Sequence, residues 1–95
     1  MAMQIRVTGN FEGNDREFYE NMAEEQAELG KWEVTDGTAL CSMGEMTIDR
    51  LAGLFEGWGD ELDGDERREL ENMVVGEVIE IERGRGCWYE VERMV

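Results

Sequence analysis

The C-terminal stretch, residues 77–95, constrains the fold most, because it alternates like two paired strands. Residues 84–86 (Gly-Arg-Gly) separate its two halves. If they form a three-residue loop, Ile81 faces Tyr89 and the apolar side chains gather on one side. A two-residue loop would instead pair Tyr89 with Glu80 and mix the faces. We therefore predict a C-terminal hairpin with a three-residue loop.

The other side of this hairpin is acidic. In the preferred register Glu80 lies directly opposite Glu90, and like charges in that position destabilise a sheet. A chain selected only to fold would tend to place Lys or Thr there, so we interpret this side as a binding surface. A solvated face that tolerates the cost is the alternative. The predicted partner-binding residues are Glu80, Glu82, Trp88, Glu90 and Glu92.

The first predicted helix carries a second acidic row. We expect it to begin at Asn14 or Asp15 and to run to Leu29, with Gly30 after its last turn. Side chains spaced like these share one helix face, where neighbouring carboxylates lie about 5–6 Å apart. That spacing is comparable to the roughly 6–7 Å between phosphates of one nucleic-acid strand. An ordinary solvated face is the alternative interpretation. The row consists of Glu17, Glu20, Glu24 and Glu28.

The remaining elements complete a small α+β domain spanning residues 1–95. Further strands are predicted at residues 3–8, 31–35 and 38–43, and two more helices begin at Thr47 and Asp63. The order β-α-β-β-α-α-β-β predicts about five strands in a mostly antiparallel sheet, with helices packed on one face.

Several local details accompany this prediction. We expect a loop from Gly9 to Gly13, and a possible break of the second helix at residues 57–59 (Gly-Trp-Gly). The third helix is expected to end at Gly76 and to turn Val74 towards the core.

The net charge of −15 exceeds what a domain of 95 residues needs for solubility, which is about 2–8 charges in magnitude. Self-repulsion at this charge destabilises the compact state. Three interpretations follow: a ligand for a basic, nucleic-acid-binding site, a solvation device for high salt, or excess solubility without a partner.

The sequence predicts no catalysis, cofactor or metal. Histidine, the commonest general base and metal ligand, is missing. A chain of this length leaves little room for a deep cleft. The acidic stretch 60–66 does not match a calcium-binding loop and is interpreted as helix capping plus a solvated turn. Only Arg83 and Arg85 form a small basic point, so direct binding to nucleic acid is not expected.

The two cysteines, Cys41 and Cys87, have no paired spacing, which fits a reducing cytoplasm with both thiols buried. A disulfide between them is the alternative. The N-terminus has no long apolar region typical of a signal peptide, and no apolar run is long enough to span a membrane. We therefore expect a cytoplasmic protein without a membrane partner.

The profile of length, charge, missing histidine and acidic rows such as Glu17/Glu20/Glu24/Glu28 resembles a functional class. Small acidic phage proteins of this kind block host defence by mimicking DNA, and they include anti-CRISPR and anti-restriction proteins. The resemblance implies a binding inhibitor in the host cytoplasm that occupies a Lys- and Arg-lined site of a nucleic-acid-binding defence complex. The alternative function is a non-catalytic homo-oligomeric accessory domain whose acidity serves solubility or high salt.

Overall fold

The structure, a computed structural model, describes residues 3–95, and Met1 and Ala2 lie outside the described residues. The elements are β1 (Ile5–Glu12), α1 (Arg16–Glu25), a 3-10 turn (Ala27–Leu29), β2 (Lys31–Thr35), β3 (Thr38–Met46), α2 (Ile48–Gly57), α3 (Gly64–Glu71), β4 (Val78–Glu82) and β5 (Cys87–Arg93). This is the predicted order, and the predicted α+β class is confirmed.

One antiparallel sheet contains the five strands in the order β2-β3-β1-β5-β4. The N-terminal strand β1 is therefore central, between β3 and the C-terminal β5. Its residues Ile5 and Val7 are fully buried against Leu51 and Phe55 of α2. We call the face of the sheet that the helices cover the inner face, and the opposite face the outer face.

The predicted helix starts are confirmed by their caps. The side chain of Asp15 accepts a hydrogen bond from the backbone N–H of Phe18 at 2.7 Å, and Thr47 caps α2 in the same way. Asp63 and Glu66 form a reciprocal capping box at the start of α3. Each cap satisfies a backbone donor that the first turn leaves without a partner.

The strand ends were predicted too early. β1 continues through Gly9 to Glu12, where a loop was expected, because this backbone is hydrogen-bonded to strands on both sides. β3 extends to Met46 because an extra residue, Met43, forms a bulge opposite β1 and lets pairing resume. Pairing between strands distant in sequence thus overrode the local glycine signal.

The helix ends were predicted too late. α1 ends at Glu25 and the 3-10 turn follows, whereas α3 ends at Glu71 rather than at Gly76. Val74 was expected to point inward but is 67% exposed, because the chain beyond α3 no longer follows the helical period. α2 ends at Gly57 with Trp58 as its C-terminal cap, which agrees with the break considered at residues 57–59.

The C-terminal hairpin has the predicted register. Ile81 pairs with Tyr89, and the backbone N–H of Arg83 donates to the carbonyl of Cys87 at 2.8 Å. The three-residue loop is therefore confirmed, and with it the direct opposition of Glu80 and Glu90.

Among residues 3–95, no helix packs on the outer face, and no helix is long and apolar enough to cross a membrane. One side of the sheet is thus left open along its width.

Candidate functional site

The outer face collects glutamates from all five strands. Alternation places each on the side opposite the buried core positions, and all are exposed or half-buried. The set, which we call the outer acidic face, consists of Glu12, Glu33, Glu45, Glu80, Glu82, Glu90 and Glu92. The hairpin glutamates predicted as partner-binding therefore belong to a larger surface.

Positive charge on this face is sparse. Arg6 and Lys31 are the cationic side chains that alternation places there. Among residues 3–95, no salt bridge involves any of the seven glutamates. Arg6 lies directly opposite Glu45 and Glu92, so the other five glutamates are the ones without a cation opposite them in the sheet.

The acids cluster most densely where β5 and β4 run side by side. Glu80 pairs directly with Glu90, so their Cβ atoms lie about 4.5–5.5 Å apart. Along each strand, alternate glutamates such as Glu80 and Glu82 lie about 6.6 Å apart. The sheet tolerates this repulsion because β5 is also paired with the central strand β1, where Thr8 lies opposite Glu90.

Trp88 lies within this surface. It pairs with Asn10 on one side and with Glu82 on the other, and it is half-buried. Together with Leu40, which is 39% exposed, it lines a shallow depression of the outer face. The indole therefore combines an apolar contact surface with acidic neighbours.

The helical row is not part of this surface. Glu17, Glu20 and Glu24 are exposed on the side of α1 that points away from the sheet. Glu28 lies in the 3-10 turn beyond the end of α1, so the expected i,i+4 pair with Glu24 within one helix is wrong. Since α1 covers the inner face, the two predicted rows point in opposite directions, and one flat partner surface cannot contact both.

Glu20 is also partly neutralised. The Nε of Arg16 donates to its carboxylate at 2.8 Å across one helical turn. An exposed pair of this kind contributes little stability, but it lowers the charge that the row presents. The outer acidic face is therefore the stronger candidate of the two rows.

Arg83 is not the free basic point that the sequence suggested. Its guanidinium donates to both carboxylate oxygens of Glu66, at 2.5 and 2.7 Å, and to Asp60 at 2.7 Å. Two more donations reach the carbonyls of Glu61 and Glu82. All five N–H groups are thus used. This bonding, above all to Glu66, raises the pKa of the Arg83 guanidinium.

Three of the five acids in the stretch 60–66 are used by contacts within the protein. Asp60 and Glu66 bind Arg83, and Asp63 caps α3. Within residues 3–95, no group of side chains is arranged to hold a metal ion.

The inner face contains a cavity that the sequence did not predict. It has a volume of about 440 Å³ and opens between α1 and the end of α2. Its aromatic lining consists of two stacked pairs: Phe11 with Trp32, their centroids 5.7 Å apart, and Trp58 with Tyr89, 5.9 Å apart. The cavity is open to solvent, so the expectation of little room for a deep cleft stays a prediction.

Both thiols lie beside this cavity and are free. Burial raises the pKa of the Cys41 thiol to about 11 and also raises that of Cys87. The strand β1 separates Cys41 on β3 from Cys87 on β5, and the two lie opposite Gly9 and Phe11, so their Cα atoms are roughly 12 Å apart, beyond the reach of a disulfide.

One signal for the cavity was present in the sequence. Phe11 lies at an odd-numbered position of β1, as do Ile5 and Val7. A prediction of a longer first strand would therefore have placed its ring on the inner face. A Cβ at Gly9 would contact the rings of Phe11 and Tyr89 at 3.2–3.3 Å, which shows how closely they cover it. The partners of Arg83 left no such signal, because they lie 17 and 23 residues away.

No protein-family model, curated protein or solved structure matches the chain.

Proposed function

We propose that the chain is a non-catalytic binding protein that inhibits a nucleic-acid-binding host defence complex by occupying its Lys- and Arg-lined site. The observation that carries this proposal is the outer acidic face. Seven glutamates share it with two cationic side chains, and none of the seven takes part in a salt bridge among residues 3–95. A groove that normally holds phosphates offers the complementary charge.

The spacing of the glutamates supports mimicry of a nucleic-acid backbone. Glutamates two residues apart in a strand lie about 6.6 Å apart, against roughly 6–7 Å between phosphates of one strand. Adjacent strands repeat the row at about 4.8 Å. Because the backbone of a paired sheet is already ordered, binding costs little additional conformational entropy.

The apolar side chains on the same face support a protein partner. Trp88 and Leu40 lie among the acids, and tryptophan is enriched where interfaces concentrate their binding energy. Carboxylates then steer the encounter, and the indole contributes desolvated contact.

The first experiment identifies a partner and asks what it does. The immobilised chain is exposed to bacterial lysate at low salt, and retained proteins are eluted with rising salt. Each purified candidate then binds a fluorescent DNA duplex while free chain is added. We expect the chain to displace the DNA, with an apparent affinity that weakens as salt increases.

Matched variants locate the binding surface. Replacing Glu80, Glu82, Glu90 and Glu92 with Gln changes the net charge from −15 to −11, and so does the same replacement of Glu17, Glu20, Glu24 and Glu28. We expect the hairpin variant to lose competition by at least about tenfold, which corresponds to 1.4 kcal/mol. The helix variant should lose much less.

Two outcomes would contradict the proposal. Simultaneous binding of DNA and chain to the partner would exclude occupation of its site, and equal losses in both variants would show that only the overall charge matters. The alternative, an oligomeric domain adapted to solubility or high salt, predicts a concentration-dependent mass and no competing protein.

A further inference from the structure

We propose that the inner-face cavity binds a small organic cation carrying an alkylated ammonium group. This inference does not depend on the proposed inhibitory function, since the cavity and the outer acidic face lie on opposite sides of the sheet.

The size and lining of the cavity fit a small ligand. Its volume of about 440 Å³ falls within the roughly 300–1,000 Å³ of typical small-molecule sites, which are mostly apolar and aromatic. Phe11, Trp32, Trp58 and Tyr89 form a continuous band, because Phe11 and Tyr89 also meet edge to face at 6.2 Å. The faces of such rings carry negative potential and attract alkylated ammonium groups.

The charges beside the cavity favour a cation over an anion. Arg83 and Asp60 border the cavity and cancel each other's charge, and the carboxylate of Glu66, bound to Arg83 beyond the lining, adds one negative charge. All five N–H groups of Arg83 are already donated, so an anion would have to break one of these bonds. The whole chain, at −15, also repels anions.

A small molecule fits better than a protein side chain. A stable protein contact buries about 800 Å² on each partner. Of the four rings, Trp58 is the most exposed, at 39%, and Tyr89 is 7% exposed. The apolar surface is thus recessed rather than spread over an accessible face.

The test compares choline with its uncharged carbon analogue, 3,3-dimethylbutan-1-ol. Each is titrated into the isotope-labelled protein while backbone amide shifts are recorded. We expect choline to shift residues around the cavity and to bind about tenfold more tightly than the alcohol, the factor that a partly desolvated cation–π contact provides.

Two variants distinguish a cation site from a merely apolar one. Trp58→Leu keeps an apolar side chain but removes a ring face, so choline should lose more affinity than the alcohol, by several-fold. Asp60→Asn should also weaken choline binding. Its control is Asp65→Asn, which removes the same charge from an exposed position outside the cavity.

Equal affinity for choline and the alcohol would overturn the proposal, as would choline binding unchanged by Trp58→Leu. Shifts confined to the outer acidic face would also overturn it, because choline would then act only as a counterion. The hairpin Gln variant should still prefer choline, so a failure here is distinguishable from a failure of the inhibitory function.

Discussion

At the scale of single residues, Arg83 connects the C-terminal hairpin to the segment between α2 and α3. It follows β4 in sequence, yet its guanidinium binds Asp60 and Glu66, and it lies 5.1 Å above the ring of Phe55. The side chain of Arg83 is only 20% exposed, and that of Glu66 is 21% exposed. A pair so shielded from water is worth more than an exposed one.

We expect Arg83→Lys to lower the free energy of unfolding by about 1–3 kcal/mol, because one ammonium cannot replace a bidentate contact and three further donations. Urea unfolding measures the change. The matched control is Arg85→Lys, two residues away at the exposed loop. Equal losses for both variants would exclude the special role of Arg83.

At the scale of elements, the β4–β5 loop shows how tertiary contact distinguishes two similar glycines. Gly84 and Gly86 both have positive φ, 71° and 69°, a conformation in which a Cβ costs about 1–2 kcal/mol. A Cβ on Gly84 would meet open space, but one on Gly86 would collide with the carbonyl of Glu12 at the end of β1. The loop is thus docked through Gly86, whose carbonyl also accepts from the N–H of Glu12 at 2.6 Å.

Accordingly, Gly84→Ala should cost about 1–2 kcal/mol of stability, and Gly86→Ala at least about 1 kcal/mol more. Thermal unfolding of the two variants, compared under one condition, tests this. If the two variants have the same melting temperature, backbone strain alone explains the loss of stability, and the contact with Glu12 adds nothing.

The elements also show where sequence patterns suffice. Asp15, Thr47 and Asp63 fixed the helix starts, because a cap is a bond between residues two or three positions apart. The ends of α1 and α3 were missed, because they depend on how the following chain packs. Gly9 ended the predicted first strand locally, but pairing on both sides carried the strand to Glu12.

At the scale of the whole molecule, charge and burial are divided between two faces. The helices and the aromatic cavity lie on one side of the sheet, and the outer acidic face lies on the other. The molecule measures 40 × 21 × 21 Å, so the open face extends along an elongated body.

Burial of neutral acids predicts a loss of stability at alkaline pH. The folded state raises the pKa of Cys41 from 9.0 to about 11, and burial also raises that of Tyr89. Between about pH 9 and 11, the unfolded chain has released the Cys41 proton that the folded chain retains. The stabilisation is therefore complete below about pH 9 and is lost as pH rises to about 11, by up to about 2–3 kcal/mol for Cys41.

The measurement is the melting temperature from about pH 8 to 11. Cys41→Ala should be less stable at neutral pH because of the lost packing, but its stability should fall less steeply above pH 9. A slope unchanged by the substitution would exclude a contribution from this thiol.

The sequence by itself determined the α+β order, the helix caps and the register of the C-terminal hairpin. These features depend on alternation and on hydrogen bonds between near neighbours, so a short segment of sequence is enough to predict them. The same alternation set Glu80 opposite Glu90 and so located the densest part of the outer acidic face.

Only the tertiary structure decided what lies beside those residues. It brought Glu12, Glu33 and Glu45 onto the same face as the hairpin and turned the α1 row away from it. It also brought the aromatic rings together around an open cavity and placed Asp60 and Glu66 beside Arg83. The physical reason is that strand order and helix packing join residues far apart in sequence, and neither periodicity nor capping carries information about such partners.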